Sequence, residues 1–426
     1  MSVKISGKSI NWIGCVLLAW AVQLAAETTE PTAVDKELTL RSIEAYLQRL
    51  DILEEQYGAY EPELGQELAG LGSLYQANGQ HKEAVDVFKR QYQIARTNDG
   101  LYSLTQADTL KKMIISLVAL REWEEVDKRH FFLEQLISRN YAQNDLRKVS
   151  TLTDLANWHM YAFHAKLDDK SMAHLLTARN ALVQTGAILG ANASTAPEQL
   201  DDVYNTLLYT DYQVALLEQQ SVEQAQSRAA FESRARTDFY NNARPNPAAQ
   251  SLRVTQNSFV AGVLHLQALR NAYANNPSAP PGSTAKIDAQ IGDWYALWQK
   301  HNNAQRFYQR AWNELASNPA AAPLLEETFG KPVRLLNFVD RYEAESKGAP
   351  GTEHGFVLFN MDITSTGRVK NLTILENEPA NRTREIRRAS RNMSRARYRP
   401  RYENGVPVAS ENVELRYVFE YVPGPS

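Results

Sequence analysis

An α+β multidomain chain is expected, in which a long α-helical solenoid over residues 38–347 precedes a small strand–strand–helix–strand domain over residues 355–426. Three observations lead there. The chain has 426 residues, too many for one hydrophobic core and enough for two or three domains of about 150 residues. From Leu38 to about Lys347 apolar residues recur three and four apart, the period of a helix with one buried face. After Lys347-Gly348-Ala349-Pro350-Gly351 the period falls to two, as in strands.

Composition and charge narrow the classes. With 43% hydrophobic and 22% charged residues, wholesale disorder, collagen and a multi-spanning membrane protein are excluded. Net charge is −3, unevenly placed. Residues 349–426 hold 12 Lys+Arg against 9 Asp+Glu, a net of +3, which leaves 34 against 40, a net of −6, for the rest. A mildly acidic body with a basic tail suits two modules.

At the amino terminus, Lys4 and Lys8 precede a charge-free stretch from Ser9 to Ala26 that ends in Leu24-Ala25-Ala26. A basic start, an apolar middle and small residues at the end make residues 1–26 a signal peptide or an amino-terminal membrane anchor. Residues 27–37 read as a linker. Either way the remainder is exported. The single cysteine, Cys15, sits inside this stretch, so the body holds no disulfide, zinc knuckle or cysteine nucleophile.

In the helical body, Leu71-Gly72, Tyr75, Gly79, Ala84 and Phe88 form one set of offsets. Small Gly72 and Ala84 suit a close crossing of two antiparallel helices, with Tyr75 and Phe88 filling the space beside it. Ile291-Gly292, Tyr295, Ala304, Tyr308 and Ala311 repeat those offsets 220 residues later. Ile114-Ile115, Val118, Asp127 and Phe131 read as a degenerate copy about 43 residues after the first. Leu152 to Leu182 reads as a further helical pair. Loops are expected at Gly186–Pro197, Asn241–Pro247 and Ala274–Ser283. These offsets resemble the tetratricopeptide (TPR) repeat. The resemblance implies stacked helix pairs with a concave groove that takes an extended peptide or partner helix.

In the C-terminal module, Gly355 to Ile363 reads as a strand, Ser365-Thr366-Gly367 as a turn and Arg368 to Leu375 as a second strand. Asn381 is placed as the cap of a helix with Ile386, Ala389, Ser390 and Met393 on one face and arginines on the other. In the last strand Val413, Leu415, Tyr417, Phe419 and Tyr421 alternate with polar residues, broken only by Val418.

The residues Gly367-Arg368-Val369-Lys370-Asn371, Arg397-Tyr398-Arg399-Pro400, Asn404-Gly405-Val406-Pro407-Val408 and the terminal strand, in that order, resemble the C-terminal domain of TonB-type energy transducers. Ala396 stands where that family often has tryptophan. The resemblance implies a periplasmic domain that grips an extended peptide of an outer-membrane transporter by strand addition. It makes Val413, Leu415, Tyr417 and Phe419 the docking edge and places Arg397, Tyr398, Arg399 and Pro400 near the recognition surface. Two family features differ: no histidine precedes His81, and a helical body replaces the Pro-rich spacer.

Other constellations read as structural. The nine arginines from Arg382 to Arg401 form the solvated face of a helix or a contact to an anionic envelope surface; nucleic acid is not expected at pI ≈ 6.3. His159 and His164, five apart without an intervening glutamate, miss the zinc-protease spacing and read as packing histidines. Glu122-Trp123-Glu124-Glu125 and Asp168-Asp169 read as inter-helix loops, and the aromatics around Trp294 and Tyr308 as core. No nucleophile elbow or phosphate loop is present, and no catalytic, cofactor or metal residue is expected.

The sum is a non-enzymatic envelope protein of a Gram-negative-type periplasm, which docks a partner strand in TonB-type transport and holds a second protein on its helical scaffold. Two alternatives stand beside it: a membrane-anchored TonB energy transducer tethered to the inner membrane by residues 9–26 and coupled to its motor, and an envelope enzyme hidden in the helical middle.

Overall fold

The computed structural model describes residues 33–192, 195–235, 247–335 and 353–421. The stretch Ser9–Ala26 and all but the last residue of Asn241–Pro247 lie outside these. The chain is mostly helical with a small C-terminal strand region, an α+β arrangement. Among the described residues no helix is long and apolar enough to cross a membrane. The chain divides into two compact units that part between Ala191 and Asn192.

The first unit contains α1 (Ala33–Tyr57), α2 (Glu63–Ala77), α3 (His81–Asp99), α4 (Gln106–Ala119), α5 (Trp123–Asn140), α6 (Lys148–Ala165) and α7 (Ser171–Gly190). The hairpin α2–α3 closes on Gly79, which has φ +74°, a conformation that glycine adopts without strain. Its turn is locked by Gly79 N–H donating to Gln76 O and Gln80 N–H to Tyr75 O. The hairpin α4–α5 repeats both bonds at Arg121 and Glu122, 42 residues on. That corrects the spacing expected for this copy: Val126 and His130 are buried in the places of Ala84 and Phe88, while Phe131 is 58% exposed. The shift by one residue follows from the turn, because the left-handed residue sets which helix face meets its partner. The same turn recurs at Lys166 (φ +51°) between α6 and α7. Asp168 and Asp169 lie in that loop as expected, whereas Glu124 and Glu125 belong to the first turn of α5.

Gly72 demonstrates why small residues occupy the crossing. A Cβ there would stand 2.5 Å from the Phe88 ring, which is fully buried. Helix α7 continues to Gly190, past the expected start of the loop at Gly186, because Gly186, Ile188 and Leu189 are buried on its inner face. The break therefore begins after Gly190 and not at Gly186.

The second unit contains α8 (Pro197–Ala235), α9 (Pro247–Ala274), α10 (Ser283–Leu297), α11 (His301–Ala316), a 3₁₀ turn (Pro319–Ala321) and α12 (Ala322–Phe329). The hairpin α10–α11 repeats the first one: Gln299 takes the left-handed position at φ +61°, and a Cβ on Gly292 would meet the Tyr308 ring at 2.5 Å. Helix α12 ends at Phe329; the expected helical span ran on to Lys347, and its residues 336–347 lie outside the described residues. Pro332 cannot continue a helix, and strand β1 (Val333–Arg334) follows.

The C-terminal module follows in the same unit: β2 (Glu353–Ile363), β3 (Val369–Glu378), α13 (Thr383–Arg395), β4 (Tyr398–Arg399), β5 (Arg401–Glu403), β6 (Val406–Val408) and β7 (Ser410–Tyr421). One antiparallel sheet has the order β3-β2-β7. Central β2 buries every second residue, Val357, Phe359, Met361 and Ile363. Ala389 and Met393 of α13 cover them, with Ile386 partly buried beside them. The cap expected at Asn381 is instead Arg382, without a side-chain capping bond. Strands β5 and β6 form a tight hairpin on Asn404-Gly405, both at positive φ, the geometry that favours this dipeptide.

Candidate functional site

The terminal strand meets the requirement for strand addition. β7 pairs with β2 from Glu353↔Tyr421 to Ile363↔Ser410. Among the described residues its other edge has no strand partner, so a row of main-chain donors and acceptors faces outward there. Asp362 fixes where this edge begins. Its carboxylate accepts from Asn371 Nδ2 at 2.6 Å and from the Asn412 backbone N–H at 3.1 Å. Those two bonds, the Asn371 one first, hold its pKa below the ordinary carboxylate value.

Val413, Tyr417 and Phe419 all point into the module core, with Leu415 partly buried beside them. They seat the strand rather than offer side chains to a partner. Among the described side chains of β7, Glu411, Asn412, Arg416 and Val418 are exposed, and the Arg416 guanidinium lies 3.9 Å over the Phe356 ring.

The Arg397-Tyr398-Arg399-Pro400 element was placed near a recognition surface. Instead it lies within the chain's own junction between the module and α10–α12, because each residue has an internal partner. Gly367 O accepts from Tyr398 N–H at 2.9 Å, and the Tyr398 ring is buried in the module core. Arg397 O accepts from Leu335 N–H at 2.7 Å, and Val333 pairs with Arg399 in the β1–β4 ladder. Pro400 is buried as well.

The Arg399 guanidinium is inserted beside the last helical hairpin. It is 3.7 Å from the Asp293 carboxylate and lies over the Phe329 ring at 5.4 Å. Asp293 also accepts from Tyr308 Oη at 2.8 Å, and Tyr402 packs edge-on against Phe329 and Tyr308. Burial pushes the Asp293 pKa up, against the pull of Arg399 and Tyr308. Burial likewise pushes the Tyr308 hydroxyl well above its ordinary value. Neither Asp293 nor β1 was singled out from the sequence. Asp293 follows Gly292 in the repeated offsets, yet its partner is 106 residues away and no local pattern marks it.

The arginine stripe is split by this arrangement. Arg384, Arg387, Arg388, Arg391 and Arg395 are exposed along α13, whereas Arg399 is buried, Arg401 pairs with Glu403 at 2.7 Å and Arg382 stacks on Tyr421.

A second cluster lies in the first unit and was missed. His159 was read as a packing residue beside His164, but its neighbour is His174: the two Nδ1 atoms are 2.7 Å apart. Their ring atoms and the Asp127 carboxylate lie within 4.8 Å of one another. The repeat register could have revealed the pair. Seven residues before the left-handed turn residue stand Gly72, Ile114, His159 and Gly292, and the first residue of each second helix bonded back to its loop is Ala84, Val126, His174 and Ala304.

No protein-family model matches the sequence, and no curated protein matches it. Among solved structures, the chain is similar to that described as "Crystal structure of BtubC (BKLC) from P. vanneervenii", at 16% identity and a TM-score of 0.30, over 50% of this chain and 96% of that one.

Proposed function

We propose that this chain is a non-enzymatic protein of the cell envelope whose C-terminal module captures an extended partner segment along β7, in TonB-type outer-membrane transport, while its TPR-like helical body holds a second protein. The observation that carries the reading is the 12-residue edge strand β7, anchored by buried side chains and paired on one side only among the described residues. An incoming extended segment would satisfy the outward N–H and C=O groups, a mode in which the main chain supplies affinity and flanking side chains supply specificity. The motif order of the module and the export-type amino terminus favour a periplasmic setting. The exposed arginines of α13 suit an anionic envelope surface beside the docking edge.

Amide hydrogen exchange of the full chain tests the proposal, with and without a synthetic peptide copying the periplasm-facing plug segment of an outer-membrane transporter. Exchange across Ser410–Tyr421 should slow while that of β3, the opposite edge, stays unchanged. Unaltered exchange in β7 at saturating peptide would reject strand capture.

A further inference from the structure

We propose that Asp127, His159 and His174 form a binding site for one divalent transition-metal ion of the zinc class, which ties α5 to the α6–α7 hairpin. The proposal rests on the first unit alone and is independent of strand capture by β7.

The argument begins with the crossing point. Where hairpins α2–α3 and α10–α11 place glycine and alanine to let their helices approach, α6–α7 places two imidazoles, tilted 41° to each other with their Nδ1 atoms 2.7 Å apart. A single packing histidine would fill that space; two ring nitrogens directed at each other, with a carboxylate beside them, are a ligand set. Two imidazole nitrogens and one carboxylate oxygen match the borderline preference of zinc, and three protein ligands leave a fourth position for water. Asp127 and His159 are only partly buried, so water and an ion can reach them.

The surrounding bonds orient these ligands. Asp168 Oδ1 stands 3.1 Å from His174 Nε2, so an N–H there donates to the carboxylate and leaves Nδ1 with its lone pair directed inward. This is the carboxylate–histidine support that metal sites use. Trp158 Nε1 donates to Asp127 Oδ1 at 2.5 Å, which orients the carboxylate. Without an ion, one Nδ1 must donate to the other. A tetrahedral ion about 2.0–2.1 Å from each nitrogen requires them to part from 2.7 Å by only a fraction of an ångström, within the reach of small χ adjustments.

The test uses the full chain, stripped of metal by chelation and titrated with Zn²⁺ alone by calorimetry, then with Co²⁺ by visible absorption. One tight ion per chain is expected, with the Co²⁺ bands of a four-coordinate nitrogen–oxygen site. His159→Gln and His174→Gln should each weaken binding at least as much as Asp168→Asn, for which the loss is about 10–100-fold. His164→Gln should leave it unchanged. Should the histidine variants fail to fold, Asp127→Asn and Asp168→Asn carry the same comparison from the rim. Absence of a tight ion on the unaltered chain overturns the site, as does undiminished affinity in the folded Asp127, His159 or His174 variants, since the ion then sits elsewhere.

Discussion

At Gly72, what a residue lacks decides the packing. Its missing Cβ leaves the space that the Phe88 ring occupies. Gly72→Ala should therefore destabilise the first unit by about 1–3 kcal/mol through overpacking, although alanine is intrinsically the better helix former. Gly65 lies in the same helix with nothing within 4 Å of the corresponding position, so Gly65→Ala should be neutral or stabilising by up to about 1 kcal/mol. Urea unfolding of both variants checks the pair; equal effects would refute the crossing argument. His164 makes a pH prediction. Burial holds its pKa down at about 4, against about 6.5 in an unfolded chain. The unfolded state therefore binds the extra proton first. The contribution is intact above pH 6.5, is lost as pH falls from there toward 4, and is flat below. His164→Leu should flatten the stability–pH curve of this unit across that window by up to about 3 kcal/mol, as measured by denaturation at each pH.

Among the elements, β7 joins two roles that a single substitution can separate. Tyr417 is 5% exposed in the module core, so Tyr417→Glu should unfold the module, at a cost of about 3 kcal/mol or more, by burying an unpaired charge. Val418, on the opposite face, is 37% exposed, so Val418→Glu should leave the fold within about 0.5 kcal/mol of the unaltered protein. Near-ultraviolet circular dichroism separates the two. Loss of peptide binding in a folded Val418→Glu variant would further locate the partner at this strand. The alternation of Val413, Leu415, Tyr417 and Phe419 was readable because burial on one face imposes a period of two. The place of β7 at the sheet edge was implied by the family resemblance and not by this alternation, since strand order depends on pairing with β2, about 60 residues earlier.

At the scale of the whole molecule, the second unit is held together by a charge pair that is costly to break. Arg399 is 6% exposed, and Asp293 is likewise buried. Arg399→Met alone should lower the stability of this unit by about 3–5 kcal/mol, because it leaves Asp293 buried without its cation. Asp293→Leu combined with Arg399→Met should recover most of that loss, since a well-packed apolar pair in place of a buried ion pair is often neutral or better. Calorimetric melting of the two variants tests this; additive losses would show that the pair holds little coupling. The arginine-aromatic-arginine-proline element is thus visible in the sequence as a unit, while its burial follows from β1 and Asp293, which lie more than 60 residues upstream.

The amino-acid order alone set the succession of helices and strands, because periods of 3.6 and two are local consequences of which face is buried. It also set the two close helix crossings at Gly72 and Gly292, where a missing Cβ leaves a signature in the spacing. Three-dimensional packing decided the rest. It turned Arg399 inward against Asp293, left the outer edge of β7 without a strand partner among the described residues, and brought His174 to His159 and Asp127. The first two relations join residues whose separation along the chain carries no periodic trace, and the third shows only in the register shared by the hairpins, so all three arise when hairpins and strands pack on one another.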